Sequence, residues 1–528
     1  MVKPERTLTF FVFILILLGL LTIIFPKNGI TIGNDLTLHF PDLKEFMKES
    51  MPTKDSVDST KAIFIADNDL AVIESDTAQF VEHTEVIDSS VFEFKPRTIS
   101  TDSLRQPLNL PASGLKCLEN LFSSLIDPDE LKHVVRIMHY GDSQIETDRI
   151  TNYLRYKLQQ QFGGSGPGLI PAKTAYDYKS PCAVSNSDNW KRYTVFPSID
   201  TAVKHTNYGV LGAFCTFGPL RKITTKNTKI TKNDSIQNDS VQTVDSMPVI
   251  TKPEETIQPK ETLTGTISFT PSTLRQNLKV IKKCRLFYGN TDAICNIKVL
   301  DGETVLYDEK LKPTDSYSSK LFNFSEPPVN LKMEFSSPQS PEIYGFALDG
   351  NSGVAVDNIA LRGCSGTIFT KISGNMLARM YNELNVKCVI LQFGGNAVPY
   401  MTEERLNAFK SMFAAQIRYI KRLCPKMSII VVGPADMSTK VGDKYQTYEI
   451  LPPLVEALKS AALSNDCAFW DMYEAMGGEN SMPDWVYHEP QLAEKDFVHF
   501  TPNGANIMAR MLYTAIISRY NEWLRKKK

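Results

Sequence analysis

No CxxC pair and no cysteine–histidine cluster with zinc-like spacing occurs in this chain. Its cysteines, Cys117, Cys182, Cys215, Cys284, Cys295, Cys364, Cys388, Cys424 and Cys467, lie scattered. That spacing excludes a zinc finger or ribbon and a paired redox thiol. Nine is an odd count, so at least one thiol has no intramolecular partner, and no disulfide framework follows. An excess of charge of one sign is also missing. The 58 basic residues against 59 acidic ones leave a formal net charge of −1. No electrostatic case for nucleic acid or for an anionic membrane surface can be built on that. No apolar run long enough to span a bilayer occurs after residue 25. With 528 residues the chain is too long for one compact core, so two or more globular units are expected.

What is present begins at the N-terminus. From Leu8 to Phe25 the chain reads LTFFVFILILLGLLTIIF, uncharged and about long enough to span a bilayer core as a helix. Lys3 and Arg6 precede it, which places the N-terminus in the cytoplasm and the remainder outside. A cleaved signal peptide is the alternative; it has a shorter apolar run and a small-residue cleavage site. Pro26-Lys27-Asn28 follows Phe25 in place of an A-x-A pattern. The expectation is an uncleaved, single-pass anchor at 8–25.

Residues 27–112 read as a largely irregular stalk, rich in Asp, Ser, Thr, Glu and Lys. A second polar stretch, 222–261, contains no aromatic residue and reads as a mobile loop. Val134 to His139 reads as a short buried strand. Thr147 to Gln161 reads as a helix with Ile150, Tyr153, Leu154 and Leu158 on one face, stopped by the glycines and proline of 163–168. From 176 to 345 short alternating runs appear, at 265–269, 284–288, 296–300 and 331–335, and they predict a β-sandwich. After 350 strands are expected at Val354–Val356, Val386–Phe393 and Ser428–Val432, with helices at Glu403–Leu423 and Leu454–Leu463. Strand–helix alternation implies a mostly parallel sheet covered on both faces. The expected fold class is therefore α/β, a three-layer domain made of 113–175 and 346–528. It is interrupted by an inserted β-sandwich domain at 176–345.

Four features carry possible chemistry. In Gly141-Asp142-Ser143-Gln144 a serine follows a strand and precedes a helix, so its hydroxyl lies where open α/β sheets place their sites. Asp142 or Ser143 as a plain helix N-cap is the alternative. In Asp496-Phe497-Val498-His499, just before a C-terminal helix, imidazole and carboxylate can both serve a serine on a neighbouring strand. A surface histidine beside a capping Asn503 is the alternative. Gly394-Gly395-Asn396 ends a strand, where the asparagine amide can donate to an oxyanion, or where a simple turn forms. Gly363, after another strand, can offer a backbone N–H, or belong to an ordinary loop.

Taken in order, Gly141-Asp142-Ser143, Gly363, Gly394-Gly395-Asn396 and Asp496-Phe497-Val498-His499 resemble the four blocks of the SGNH/GDSL hydrolases. That fold is a flavodoxin-like three-layer sheet. The resemblance implies Ser143 as nucleophile, His499 as base and Asp496 as its partner. It implies an oxyanion hole from the Ser143 and Gly363 N–H groups and the Asn396 side chain, with no metal or organic cofactor. Three departures stand out: Gln144 replaces the leucine of the GDSL name, Ala397 follows the asparagine, and the insertion before the second block is very long. An inserted β domain at that place is similar to bacterial peptidoglycan O-acetylesterases with a carbohydrate-binding-like module. The resemblance thus implies an acetylated glycan as substrate, on the periplasmic or outer side of the cell membrane. An O-acetyltransferase using the same acyl-serine is one alternative, and a non-catalytic glycan-binding protein another.

Overall fold

A computed structural model of the chain describes residues 30–32, 36–38, 98–219 and 262–527. The expected anchor at 8–25, most of the stalk and the loop at 222–261 lie outside the described residues. Among the described residues no helix is long and apolar enough to cross a membrane. Near the N-terminus, Ile30–Ile32 and Leu36–Leu38 form an antiparallel pair, with Thr31 opposite Thr37.

The described residues from 98 onward belong to one compact unit. Its centre is five parallel strands: β1 (Val134–Gly141), β2 (Gly353–Ala360), β3 (Val386–Gln392), β4 (Ser428–Val432) and β5 (Ala468–Trp470). Their spatial order is β2-β1-β3-β4-β5. Ile137 on β1 is flanked by Val356 of β2 and Cys388 of β3. The strands read as near-continuous apolar runs because both sheet faces are covered. Ile137, Ile390 and Ile430 face Leu121 of α1 (Glu119–Ile126), Leu154 of α2 (Thr151–Phe162) and Ile516 of α6 (Pro502–Lys527). Met138, Val389 and Val431 alternate to the other face, into a core with Leu377 of α3 (Gly374–Glu383), Phe413 of α4 (Glu403–Leu423) and Leu458 of α5 (Leu451–Ser464).

Helix ends follow local chemistry. α4 has Glu403 and Glu404 in its first turn and Lys421 and Arg422 in its last, each complementing the helix dipole. α5 starts earlier than expected, at Leu451, because Pro452 and Pro453 sit in the first turn, where no hydrogen bond is lost. α2 starts later, at Thr151 rather than Thr147. A 3₁₀ turn, Ser143–Asp148, comes first, and Thr147 and Asp148 hold φ values of 55° and 66° that no α-helix admits. Residues 98–112 pack on the α/β body. The Ile99 backbone exchanges two 2.8 Å hydrogen bonds with the Asn521 side chain, and Asn109 bridges to Phe469 of β5.

Between β1 and β2 the chain builds two antiparallel sheets. All four alternating runs lie in strands; along Leu331–Ser337 every second residue is buried. The sheets meet face to face through Phe269 and Phe346, whose ring centroids are 4.9 Å apart. Strand Glu342–Asp349 is buried along its whole length, because Phe346 and Leu348 enter the inter-sheet core while Tyr344 and Ala347 enter the core of the α/β layers. Arg136 of β1, 1% exposed, pairs with Asp357 of β2 at 2.6 Å and with Asp349 at the end of that strand. The antiparallel layers and the parallel sheet therefore share a core.

Candidate active site

β1 ends at Gly141, where the chain turns into Ser143–Asp148. A Cβ at Gly141 would meet the Ile145 side chain at 2.9 Å and the Gln392 carbonyl oxygen at 3.1 Å, so only glycine lets the turn close on β3. Ser143 is thereby delivered to the carboxyl edge of the sheet, between β2 and β3. In a sheet of this order that is the switch point, where the crevice opens. Asp142 takes the capping role, accepting the Gln144 N–H at 3.0 Å, and the Ser143 hydroxyl is left for other use.

That use is His499. Its Nε2 lies 2.8 Å from Ser143 Oγ, and its Nδ1 lies 2.7 Å from Asp496 Oδ2. Asp496 Oδ1 accepts the backbone N–H groups of Val498 and His499 at 2.9 and 3.0 Å, which locks the four-residue turn. An ionised carboxylate only accepts, so Nδ1 carries the imidazole proton and Nε2 presents a lone pair to the serine. Partial burial pushes the Asp496 carboxyl up, but the hydrogen bonds from the His499 backbone and ring and from Val498 outweigh it and hold it below its ordinary value. Thr501, not Asn503, caps α6, its hydroxyl accepting the Gly504 N–H at 3.3 Å.

The third and fourth blocks converge on the same spot. Gly394 has φ +124°, and a Cβ there would strike Leu458 at 2.8 Å. The Asn396 amide donates to Asp142 Oδ2 at 3.0 Å and to the Cys364 carbonyl at 3.3 Å, so both its protons have acceptors in this state. Asp142 is buried, which pushes its carboxyl up to about 6 against the opposing pull of these hydrogen bonds. Among the described residues neither the Ser143 nor the Gly363 backbone N–H has an acceptor. Ser143, Gly363, Asn396 and His499 line one cavity of about 640 Å³. Ser143, Asn396 and His499 also line a second, of about 220 Å³, beside Phe393 and Met437.

Two further groups escaped the sequence reading. Gln144, noted only as a departure from leucine, donates its amide to the Val498 carbonyl, and its Oε1 lies 3.5 Å from the Phe500 N–H. It brackets the turn that carries His499. Arg362, next to Gly363, donates from Nε to both carboxylate oxygens of Glu146 at 2.8 and 2.9 Å. Tyr178 donates to the same carboxylate at 2.8 Å. The Gly363 loop is thus fastened to the serine turn. Nothing in the sequence pattern signals either link, since each depends on residues that only the fold brings together. All nine cysteines are free thiols.

No family model and no curated protein matches the chain. Solved structures do. A peptidoglycan O-acetylesterase matches with a TM-score of 0.55 at 17% identity, over 79% of this chain and 99% of that one. A family two carbohydrate esterase from Cellvibrio japonicus matches at 0.23 and 12%, over 51% of this chain and 93% of that one. An acetyl xylan esterase matches at 0.23 and 15%, over 31% and 81%. The resemblance to the SGNH/GDSL esterases, read first from four sequence blocks, extends to the fold, which this chain shares with a solved peptidoglycan O-acetylesterase.

Proposed function

We propose that the chain is a serine esterase that removes O-acetyl groups from a glycan through an acyl-serine on Ser143. The observation that carries this reading is the relay from Asp496 through His499 to Ser143, with contacts of 2.7 and 2.8 Å at the switch point of the sheet. Ser143 Oγ attacks the acetyl carbonyl carbon while His499 Nε2 takes its proton. The oxyanion is met by the Ser143 and Gly363 N–H groups, and by Asn396 once its amide leaves the longer bond to Cys364. Collapse expels the sugar hydroxyl, which takes its proton from His499. Water, deprotonated by the same imidazole, then releases acetate. Gln144 and Glu146 act through others, holding the His499 turn and the Gly363 loop.

The anchor at 8–25 belongs to the same proposal, with the catalytic body outside the cytoplasm; its support is the apolar run and the charges before it. None of the residues that break the bond comes from 176–345, and we assign that part to supporting the α/β body, as Tyr178 does by holding Glu146. The test is acetate release by the purified 528-residue chain from 4-nitrophenyl acetate and from an O-acetylated glycan. Release from both is expected. Failure on every acetate ester would contradict the reading.

A further inference from the structure

Among the described residues four aromatic side chains are exposed, and all four are tyrosines: Tyr176, Tyr400, Tyr445 and Tyr487. Two of them border the cavities that contain Ser143. Tyr400, 76% exposed, stands on the wall of the smaller cavity that contains Ser143 and His499. Tyr176 lies 3.9 Å beneath the guanidinium of Arg362, which lines the larger cavity together with Ser143. Tyr445 stacks on Phe497 at 3.6 Å and 7°, and Tyr487 meets the same ring edge-on at 6.0 Å. Phe497 itself sits inside the Asp496–His499 turn. Scattered exposed apolar residues need no explanation, but two exposed rings bordering the cavities that contain Ser143 do.

The walls between these rings are polar and nearly balanced in charge. Arg149, Arg362, Glu146, Glu494 and Asp496 all line the larger cavity, Arg362 in direct contact with Glu146. Its volume of about 640 Å³ falls in the range of sites for small organic ligands, roughly 300–1,000 Å³. A strongly charged ligand has no matching field here. A purely apolar one would leave the guanidinium and carboxylate groups without water. A neutral, hydroxyl-rich ring fits both surfaces: its flat C–H face stacks on tyrosine, and its hydroxyls reach the polar wall and the phenol oxygens.

We propose that these tyrosines form a sugar-binding groove, in which pyranose rings of a glycan chain stack on Tyr400 and Tyr176 beside the two cavities that meet at Ser143. The groove deepens the esterase reading and rests on it for its substrate class. It also moves docking away from where the sequence put it. Between 176 and 345 the described residues expose no aromatic ring but Tyr176, the one at the active-site mouth. The outer faces of the antiparallel sheets carry no platform of this kind.

The test separates binding from turnover. In the Ser143→Ala chain, titration calorimetry with unacetylated β-1,4-linked tetrasaccharides of N-acetylglucosamine, glucose and xylose should show saturable binding of at least one. Tyr400→Ala and Tyr176→Ala, each placed in that background, should weaken it by about fivefold to tenfold, the scale of one aromatic stacking contact. Tyr400→Phe and Tyr176→Phe should keep most of the affinity, because the ring face is retained. Thermal unfolding of each variant establishes that it is folded. Unaltered affinity in both alanine variants, or no binding of any tetrasaccharide, would overturn the groove. Hydrolysis of 4-nitrophenyl acetate by the unsubstituted chain tests the esterase reading separately, so the two can fail independently.

Discussion

Gln144→Met keeps the length and approximate volume of the side chain and removes only its polar end, so little of its effect comes from a cavity. Gln144 is 9% exposed. Its amide donates to the Val498 carbonyl, while the contact of Oε1 with the Phe500 N–H, at 3.5 Å, is long and adds little. The loss is therefore one good hydrogen bond to a partly buried carbonyl, at a cost of about 0.5–1.5 kcal/mol in folding free energy. A second effect should appear in catalysis. Val498 and Phe500 flank His499, and a turn free to shift lengthens the 2.8 Å contact with Ser143. A rise of about 1.4 kcal/mol in the barrier is a tenfold fall in kcat. Urea unfolding and ester kinetics on the same preparation measure both. A Gln144→Met chain with unaltered stability and unaltered kcat would refute the claim that this side chain holds the base in place.

Asn396→Ala should leave the nucleophile intact and lower kcat by roughly 10²–10³, the scale of one oxyanion donor; a change under threefold would remove it from the oxyanion hole. Esterase activity should rise from acid toward mildly alkaline pH, because the imidazole base must be neutral to take the serine proton. Asp142, pushed up to about 6 by burial, must also be ionised to accept from both Gln144 and Asn396. Its effect on stability runs the other way. A carboxyl raised above the ordinary value of ~3.9 contributes stability that is fully present below that value and is lost as pH rises through about 6. A flat activity profile over that range would count against both groups. Arg136→Met should cost about 3–5 kcal/mol in urea unfolding, since Asp357 and Asp349 would be left buried without their cation. A loss below 1 kcal/mol would show that this ion triad does not bind the layers together.

How much of this was legible in the sequence depended on whether a residue's surroundings were local. α4 is legible to its ends, Glu403 and Leu423, because its charged termini and apolar periodicity lie in one continuous stretch. β4 was read for the same reason, as a fully buried apolar run. The alternating runs at 265–269 and 331–335 showed their two-residue period directly. β5 has only three residues, too short for any period, and was missed. The false start of α2 comes from backbone geometry that no periodicity shows: Asp148, held by a buried pair with Arg155, takes a positive φ that ends the turn before the helix can begin. The packed end of the stalk was hidden because its partners, Phe469 and Asn521, lie more than 300 residues away. At the site, Ser143, Asp496 and His499 stood out because each block holds its own motif. The clamp from Gln144 to Val498 spans 354 residues, and only the fold could display it. The double engagement of the Asn396 amide belongs to the same class.

The most direct test of the central claim is turnover of an acetate ester by the Ser143→Ala chain, measured beside its thermal unfolding. Without Oγ no acyl-serine forms, so activity should fall to background while the unfolding transition stays intact. His499→Ala should fall nearly as far, Asp496→Ala less, and the Ser143→Ala, His499→Ala double variant should be barely worse than either single one, because the relay acts as a unit. A folded Ser143→Ala chain that kept the esterase activity of the unsubstituted protein would contradict the account at its root.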